Sequence, residues 1–188
     1  MKLNLGCGFN KINGFINVDL YSHCSPDIIC DLENFPYPFE DNSVNEILFN
    51  HSLEHIGQNS NVFLQIIKEI YRICKDEAIV QINVPHPRHD NFISDPTHVR
   101  AITPMTLKLF DLELNHFWQA NKFANTPLAI YLGVNFKLIK TNTIVEEKYL
   151  KMLQNNVLTI EDLNILISER NNVAIDYNFT WQVIKKLV

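Results

Sequence analysis

Two short apolar segments at the start of the chain, separated by a glycine turn, constrain the fold more than any other feature. Lys2–Leu5 is typical of a strand, Gly6-Cys7-Gly8 interrupts it, and a second strand is predicted over Phe15–Asp19. Because glycine has no Cβ, the backbone can turn sharply there and its N–H groups can approach a ligand closely. A strand, a glycine turn, a second strand and a terminal acid form the outline of a nucleotide-binding βαβ unit, in which the acid accepts hydrogen bonds from ribose hydroxyls.

The connections between the first strands are unusually short. Residues 6–14 lie near the lower limit for a parallel crossover, which usually needs about a dozen residues, so the first helix is expected to be one turn or missing. The next interval, Tyr21–Asp27, is shorter still and leads to a third strand, Asp27–Asp31, that again ends on an acid. We therefore expect part of one sheet face to lack helices and to be covered by a later segment or by the second subunit of a homodimer.

The rest of the chain alternates strand and helix patterns, which predicts an α/β fold with a Rossmann-like, doubly wound, mostly parallel sheet. Further strands are predicted at Val44–Phe49, Ala78–Val84, Phe136–Glu146 and Asp176–Leu187, although the last segment would also suit a helix. Helices are predicted from an N-cap at Ser60 to Cys74, from Thr103-Pro104 with an apolar stripe of Leu107, Phe110 and Leu114, and from a Thr159/Asp162 capping box to about Arg170. Residues 116–133 are aromatic and irregular.

Composition limits the functional classes. The length of 188 residues suits a single domain, with a cofactor half at 2–85, a substrate loop and helices at 86–135, and C-terminal strands and a helix at 136–188. A net charge of −5 argues against a nucleic-acid partner. The four cysteines lack zinc spacing and suit a reducing compartment. Since no signal peptide or membrane-spanning apolar run is present, we expect a cytoplasmic protein without a membrane span.

Four motifs follow one another in the first half of the chain. They read L-G-C-G at Leu5–Gly8, G-F-I-N-V-D at Gly14–Asp19, D-L-E-N-F-P-Y-P-F-E-D-N-S at Asp31–Ser43, and H-S-L-E-H-I at His51–Ile56. In this order they resemble a small bacterial branch of the class I S-adenosylmethionine (SAM)-dependent methyltransferases. The resemblance spans about residues 2–85 and implies a class I methyltransferase fold, SAM as the cofactor, and methyltransferase activity.

The resemblance also implies a set of cofactor-binding residues. The methionine moiety would be held by the turn of Leu5, Gly6, Cys7 and Gly8. Asp19 and Leu20 would bind the ribose, and Asp31 and the Leu32 N–H would bind the adenine. Asn50 and His51 would line the wall of the site near the sulfonium. Asn4 stands where many relatives carry an acid that contacts the methionine amino group. A simpler interpretation is that Asp19 and Asp31 only form turns at strand ends.

The loop from Pro85 to Ile102 is rich in histidine, aspartate and arginine and follows a strand at the ligand-binding edge. Methyl transfer is an in-line displacement, so the protein must align the acceptor within about 3–3.5 Å and, for a hydroxyl, remove its proton. We predict His98, Asp95 and His51 as catalytic residues. His86 and His89 are predicted to bind substrate, with Arg100 as a clamp for an anionic group. The alternative is that Asp95 caps a turn and His98 hydrogen-bonds the backbone.

The same loop contains suitable metal-ligand types in His86, His89, Asp90 and His98. These residues form no compact ligand motif, so no metal site is predicted.

The acceptor is the least constrained part of the prediction. The resemblance suggests a small-molecule, sugar or glycan-linked acceptor, and O-methylation is favoured. Two alternatives remain: a catalytically silent SAM-binding regulatory module, and a nicotinamide oxidoreductase, although Lys11 occupies the third glycine position of the dinucleotide motif.

Overall fold

The computed structural model describes residues 1–185, which form one mixed sheet flanked by helices. The strands are β1 Lys2–Leu5, β2 Ile16–Asp19, β3 Ile28–Ile29, β4 Val44–Asn50, β5 Cys74–Pro85, β6 Phe136–Val145 and β7 Ala174–Val183. The helices are α1 Ser60–Ile73, α2 Asp90–Ile93, α3 Pro104–Lys108, α4 Leu112–Ala120, α5 Leu128–Leu132, α6 Glu147–Gln154 and α7 Ile160–Glu169. Within the described range, no helix is long and apolar enough to cross a bilayer.

The sheet has the strand order β3-β2-β1-β4-β5-β7-β6. Strands β1 to β5 pair in parallel, whereas β7 pairs antiparallel with both β5 and β6. The dinucleotide-binding Rossmann order is 3-2-1-4-5-6 and lacks the reversed strand that lies here between β5 and β6. The prediction of an α/β, doubly wound and mostly parallel sheet is confirmed.

Several local predictions are confirmed and others are wrong. Thr103 and Thr159 each form a capping box, but the side chain that caps α1 belongs to Asn59, not Ser60. The helix predicted after Thr103 is split in two, because Asp111 accepts a hydrogen bond from the Leu114 N–H and starts a new helix.

Two further differences lie in the second half of the chain. Residues 116–133 are not irregular throughout, since α4 and α5 occupy part of them. Helix α6 was not predicted, and α6 and α7 form a hairpin between β6 and β7 with its own small apolar cluster around Val145, Leu163 and Val173. The last predicted strand forms as β7, while its final two residues, Lys186 and Leu187, lie outside the described residues.

One face of the sheet packs against α1 to form the core. The buried side of the helix carries Phe63, Ile66, Ile67, Ile70 and Ile73, and they share one cluster with buried strand residues. Each such side chain contributes about 1.5–3 kcal/mol when it is fully buried. Because strand side chains alternate between faces, this packing directs the neighbouring positions of the same strands to the other face.

Under the first crossover, that other face is closed by a hydrogen-bond network instead of a helix. The Asn17 amide donates to Asp27 Oδ2 (2.8 Å), while its oxygen accepts from the Ile12 N–H (2.8 Å) and from Asn4 Nδ2 (3.0 Å). Lys11 pairs with Asp27 at 2.9 Å. The network lets residues 6–15 lie close to the sheet, which explains how β1 and β2 connect without a helix.

Farther along the same face, the partly exposed positions are largely polar. Leu48, Gln81 and Thr180 lie in one row across β4, β5 and β7, and Thr180 Oγ1 donates to Gln81 Oε1 at 3.1 Å. All three are half-buried. This part of the face can therefore contact solvent. That a second subunit covers the face remains a prediction.

Candidate cofactor cleft

A cleft of about 570 Å³ opens at the carboxyl ends of β1, β2 and β4. Open α/β sheets bind ligands at this edge. The cleft is lined by Gly6, Gly8, Asp19, Leu20, Tyr21, Cys30, Asp31, Leu32, Glu33, His51, Ser52, His55, Ile56 and Thr97. Seven of the predicted cofactor-binding residues therefore share one cavity: Gly6, Gly8, Asp19, Leu20, Asp31, Leu32 and His51.

The turn after β1 is fixed by its glycines and by β2. Gly6 has φ +69° and Gly8 has φ +49°, values that residues with a Cβ rarely adopt. The N–H groups of Gly6 and Cys7 both donate to the Val18 carbonyl, at 2.9 and 3.0 Å. At Gly6 an added Cβ would lie 2.5 Å from the Ser52 Cβ. The floor of the cleft thus requires glycine at position 6 for both conformation and space.

Asp19 joins the two turns that border the cleft. Its Oδ2 accepts from the Gly8 N–H at 2.8 Å, and its Oδ1 accepts from the Tyr21 N–H at 2.9 Å. The bond to Tyr21 is the turn-forming role considered from the sequence. A carboxylate has about four acceptor sites, so two remain for the hydroxyls of a ligand.

Asp31 has a similar arrangement one strand away. Its Oδ1 accepts from the Glu33 N–H and its Oδ2 from Asn34 Nδ2, both at 2.9 Å. It is half-buried, whereas Leu20 is exposed and Leu32 is buried. Two acids and two leucines that line one cavity can bind a flat polar ring system with attached hydroxyls, such as a nucleoside.

His51 and Glu54 lie at the end of the cleft near β4. The His51 side chain is 48% exposed, and its Nδ1 lies 3.7 Å from Oε1 of Glu54, which is 1% exposed. The Glu54 carboxylate raises the pKa of His51, while desolvation opposes this. His51 also has φ +52°, and its N–H donates to the Asn83 carbonyl at 2.9 Å. The imidazole therefore lines the cleft from a sharply turned strand end.

His98 and Asp95, the other predicted catalytic residues, lie behind the cleft wall. Asp95 Oδ1 accepts from both the N–H (2.8 Å) and the hydroxyl (2.6 Å) of Thr97, and these bonds lower the pKa of Asp95. His98 hydrogen-bonds the Phe92 carbonyl at 2.9 Å, and its side chain is 8% exposed. These are the structural roles considered as the alternative, and Thr97 is the residue of this loop that lines the cleft.

The predicted substrate-binding residues are engaged elsewhere. His86 Nε2 contacts the Tyr177 hydroxyl at 3.0 Å, and burial lowers the pKa of His86. His89 caps α2 and contacts Glu146 at 3.1 Å. Arg100 donates to the Gly57 carbonyl at 2.7 Å and stacks on Phe63. Both histidines are thus held by residues at β7 and at the start of the α6–α7 hairpin, which are distant in sequence.

Three other predicted residues are close to the cleft without lining it. Leu5 and Cys7 are buried, and Asn50 accepts a hydrogen bond from Asn83 Nδ2 at 3.0 Å. Ser52, His55 and Thr97 line the cleft but were not predicted to do so. Ser52 and His55 belong to the H-S-L-E-H-I motif, so their position next to His51 was the available signal.

No protein-family model matches this chain, and no curated protein matches it. Solved structures do. A SAM-dependent methyltransferase from Archaeoglobus fulgidus is 18% identical, with a TM-score of 0.61 over 96% of this chain and 85% of that chain. A SAM-dependent methyltransferase from Methanosarcina mazei is 12% identical, with a TM-score of 0.57 over 98% of this chain and 92% of that chain.

The chain has the class I methyltransferase fold. This fold is also that of the [4+2]-cyclase SpnF, which is 12% identical, with a TM-score of 0.55 over 98% of this chain and 74% of that chain. One fold can host several chemistries. The residues of the cleft, not the methyltransferase fold by itself, must therefore carry any argument about function.

Proposed function

We propose that this protein is a SAM-dependent methyltransferase that transfers a methyl group to the oxygen of a small-molecule, sugar or glycan-linked acceptor. The observation that carries the proposal is the meeting of the Gly6–Gly8 turn, Asp19 and Asp31 in one cleft. The cleft volume of about 570 Å³ lies within the range of roughly 300–1,000 Å³ for small-molecule sites. These residues fit a nucleoside bearing a short amino-acid chain.

In this proposal Asp19 binds the ribose hydroxyls with its two remaining acceptor sites. Asp31 accepts from the adenine amino group, and Leu20 and Leu32 contact the ring. The glycine turn receives the methionine moiety. SAM would supply an activated methyl group, and the protein would supply alignment and a route for the acceptor proton.

His51 is the proposed proton acceptor for a hydroxyl substrate, because its imidazole lines the cleft and is half-exposed. In this proposal, His98 and Asp95 stabilise, through their hydrogen bonds, the conformation of the loop from which Thr97 lines the cleft. The four cysteines are free, which supports the cytoplasm as the proposed setting, since thiols stay reduced there. We also propose a homodimer, in which the second subunit covers part of the sheet face that lacks helices.

The silent SAM-binding module is the second candidate, because a fold and a cofactor cleft do not by themselves require methyl transfer. The nicotinamide oxidoreductase is less well supported, because the reversed β7 departs from the dinucleotide-binding strand order.

The test is a transfer assay with methyl-labelled SAM against nucleotide sugars and glycolipids. Label in a sugar fraction, lost in His51→Gln with SAM affinity retained, supports the proposal. His116→Gln is the matched control, because His116 is an exposed histidine outside the cleft, and it should retain transfer. Label in protein or RNA rejects the glycan acceptor, and SAM binding without transfer to any acceptor favours the silent module.

A further inference from the structure

At the cleft wall, three ligand-type side chains converge from two separate segments. Glu54, His55 and His98 each offer one ligand atom, and the three atoms lie within 4.8 Å of one another. The Glu54 side chain is 1% exposed, and both of its carboxylate oxygens lack a hydrogen-bond partner among the described residues. His51 Nδ1, 3.7 Å from Glu54 Oε1, is a nearby group that can carry a positive charge, and a buried carboxylate without hydrogen bonds is costly unless such a charge or a metal ion compensates it.

The hydrogen bonds of the two histidines involve Nδ1, so among the described residues neither Nε2 atom has a hydrogen-bond partner, although His98 Nε2 lies 3.8 Å from Asp95 Oδ2. His98 Nδ1 lies 2.9 Å from the Phe92 carbonyl, which can only accept, so Nδ1 carries the proton. Thr97 donates its hydroxyl proton to Asp95, so it accepts from His55 Nδ1 at 2.9 Å. In the neutral ring the other nitrogen then holds a lone pair. Metal-binding histidines usually donate their second ring N–H to an oxygen acceptor in this way.

The backbone holds the two segments together independently of any ion. The N–H groups of Val99 and Arg100 both donate to the Glu54 carbonyl, at 2.9 and 3.2 Å. The rings of His55 and His98 meet edge to face, with centroids 4.6 Å apart. The ligands are thus brought together by the fold, so binding would need only small side-chain movements.

Other charged groups near Glu54 do not replace an ion. The Arg100 side chain is directed to Gly57 and Phe63. His51 approaches Glu54 only to 3.7 Å and from the cleft side, and Asp176, which also acts on this region, carries a negative charge when ionised. The buried carboxylate therefore faces imidazoles and no close fixed cation among the described residues.

We propose that Glu54, His55 and His98 bind a first-row divalent transition ion of the zinc type. Two imidazoles and one carboxylate form a ligand set used for zinc and for iron(II), whereas magnesium prefers oxygen ligands. This site shares only His98 with the loop set of His86, His89, Asp90 and His98 considered from the sequence. Two ligands lie in H-S-L-E-H-I and the third comes from a distant loop, so the sequence contains no compact ligand motif.

His55 also lines the cleft, so an ion bound to it would lie at the cleft wall. If the proposed methyl transfer holds, such an ion could polarise an acceptor hydroxyl. That role rests on the proposed function, but metal binding itself does not.

The test is calorimetric titration of Zn²⁺ into chelator-treated protein, in the absence of SAM. We expect one ion per chain and weaker binding in His55→Ala and His98→Ala, by roughly 100-fold or more, since loss of an outer partner alone costs about 10–100-fold. Thr97→Val, which removes the acceptor for His55 Nδ1, should weaken binding by about 10–100-fold. Mg²⁺ should not compete.

His116→Ala is the matched control, because His116 is an exposed histidine on α4, outside the cluster. Its affinity for Zn²⁺ should equal that of the parent. Thermal melts identify any variant that fails to fold, and Glu54→Gln provides a further ligand variant of equal size. Absence of a stoichiometric site, or equal affinity in folded His55→Ala and parent protein, overturns the proposal. Loss of binding only on substitution of the half-buried Cys30 would assign the ion to a thiol and also overturn it.

Discussion

Replacing Gly6 with alanine tests how tightly the cleft floor is built. Gly6 has φ +69°, and an added Cβ would lie 2.5 Å from Ser52 Cβ and 3.1 Å from Ser52 Oγ. The backbone strain costs roughly 1–2 kcal/mol, and the overpacking adds about 1–3 kcal/mol. Alanine recovers roughly 0.4–1 kcal/mol by restricting the unfolded chain. We expect Gly6→Ala to lose about 1–4.6 kcal/mol of unfolding free energy.

Gly14→Ala separates the two costs. Gly14 has φ +83°, but an added Cβ meets nothing within 4 Å. This variant should show the strain without the clash, so Gly6→Ala should be less stable than Gly14→Ala by about 1–3 kcal/mol. Urea denaturation with linear extrapolation measures both free energies.

A second-site change provides an internal check. Ser52→Gly removes the clashing Cβ, at the cost of about 0.5–1.5 kcal/mol for the lost bond from Ser52 Oγ to the Leu5 carbonyl, which is 2.8 Å long. In the double variant the clash is absent, so the loss of unfolding free energy should be smaller than the sum of the losses in the two single variants. Equal stability of Gly6→Ala and Gly14→Ala, or strict additivity with Ser52→Gly, would refute the reasoning.

Three other predictions concern stability. Asn17→Ala should cost about 1–3 kcal/mol in urea denaturation, because it leaves buried partners of the amide unpaired. Hydrogen bonds from the Asn17 N–H, Lys11 and the Asn17 side chain lower the pKa of Asp27 from 3.8 to about 2. The stabilisation from Asp27 is therefore complete above pH 3.8 and is lost as the pH falls through about 2. The pH dependence of thermal melts over this range should flatten in Asp27→Asn. Ile67→Ala, in the fully buried face of α1, should cost about 2–5 kcal/mol, and an unchanged unfolding midpoint would contradict its place in the core.

Much of the fold could be predicted from the sequence because its signals are local. Short apolar segments indicated the strands, and Thr159 with Asp162 marked the start of α7 through a hydrogen-bond pattern between residues only three apart. The split between α3 and α4 could not be read from an apolar stripe. It depends on Asp111, whose capping bond competes with continuation of the helix.

The residues of the candidate site also differ in whether local sequence signals or long-range contacts determine their positions. Gly6, Asp19 and Asp31 follow or end consecutive parallel strands, so the parallel topology alone brings them to one edge. His86 and His89 instead depend on β7 and on Glu146, which are distant in sequence. The placement of His98 depends on the pairing of its loop with the Glu54 carbonyl. Such long-range contacts leave no periodic signal in a single sequence.

The central claim is that the cleft binds SAM through Asp19 and its neighbours, and calorimetry with S-adenosylhomocysteine tests it most directly. We predict one binding site per chain and a large loss of affinity in Asp19→Ala. Asp41→Ala is the control, because Asp41 is an exposed acid that pairs with Arg72 outside the cleft, and it should retain binding. No heat with S-adenosylhomocysteine or SAM, together with tight binding of NADH, would contradict the claim.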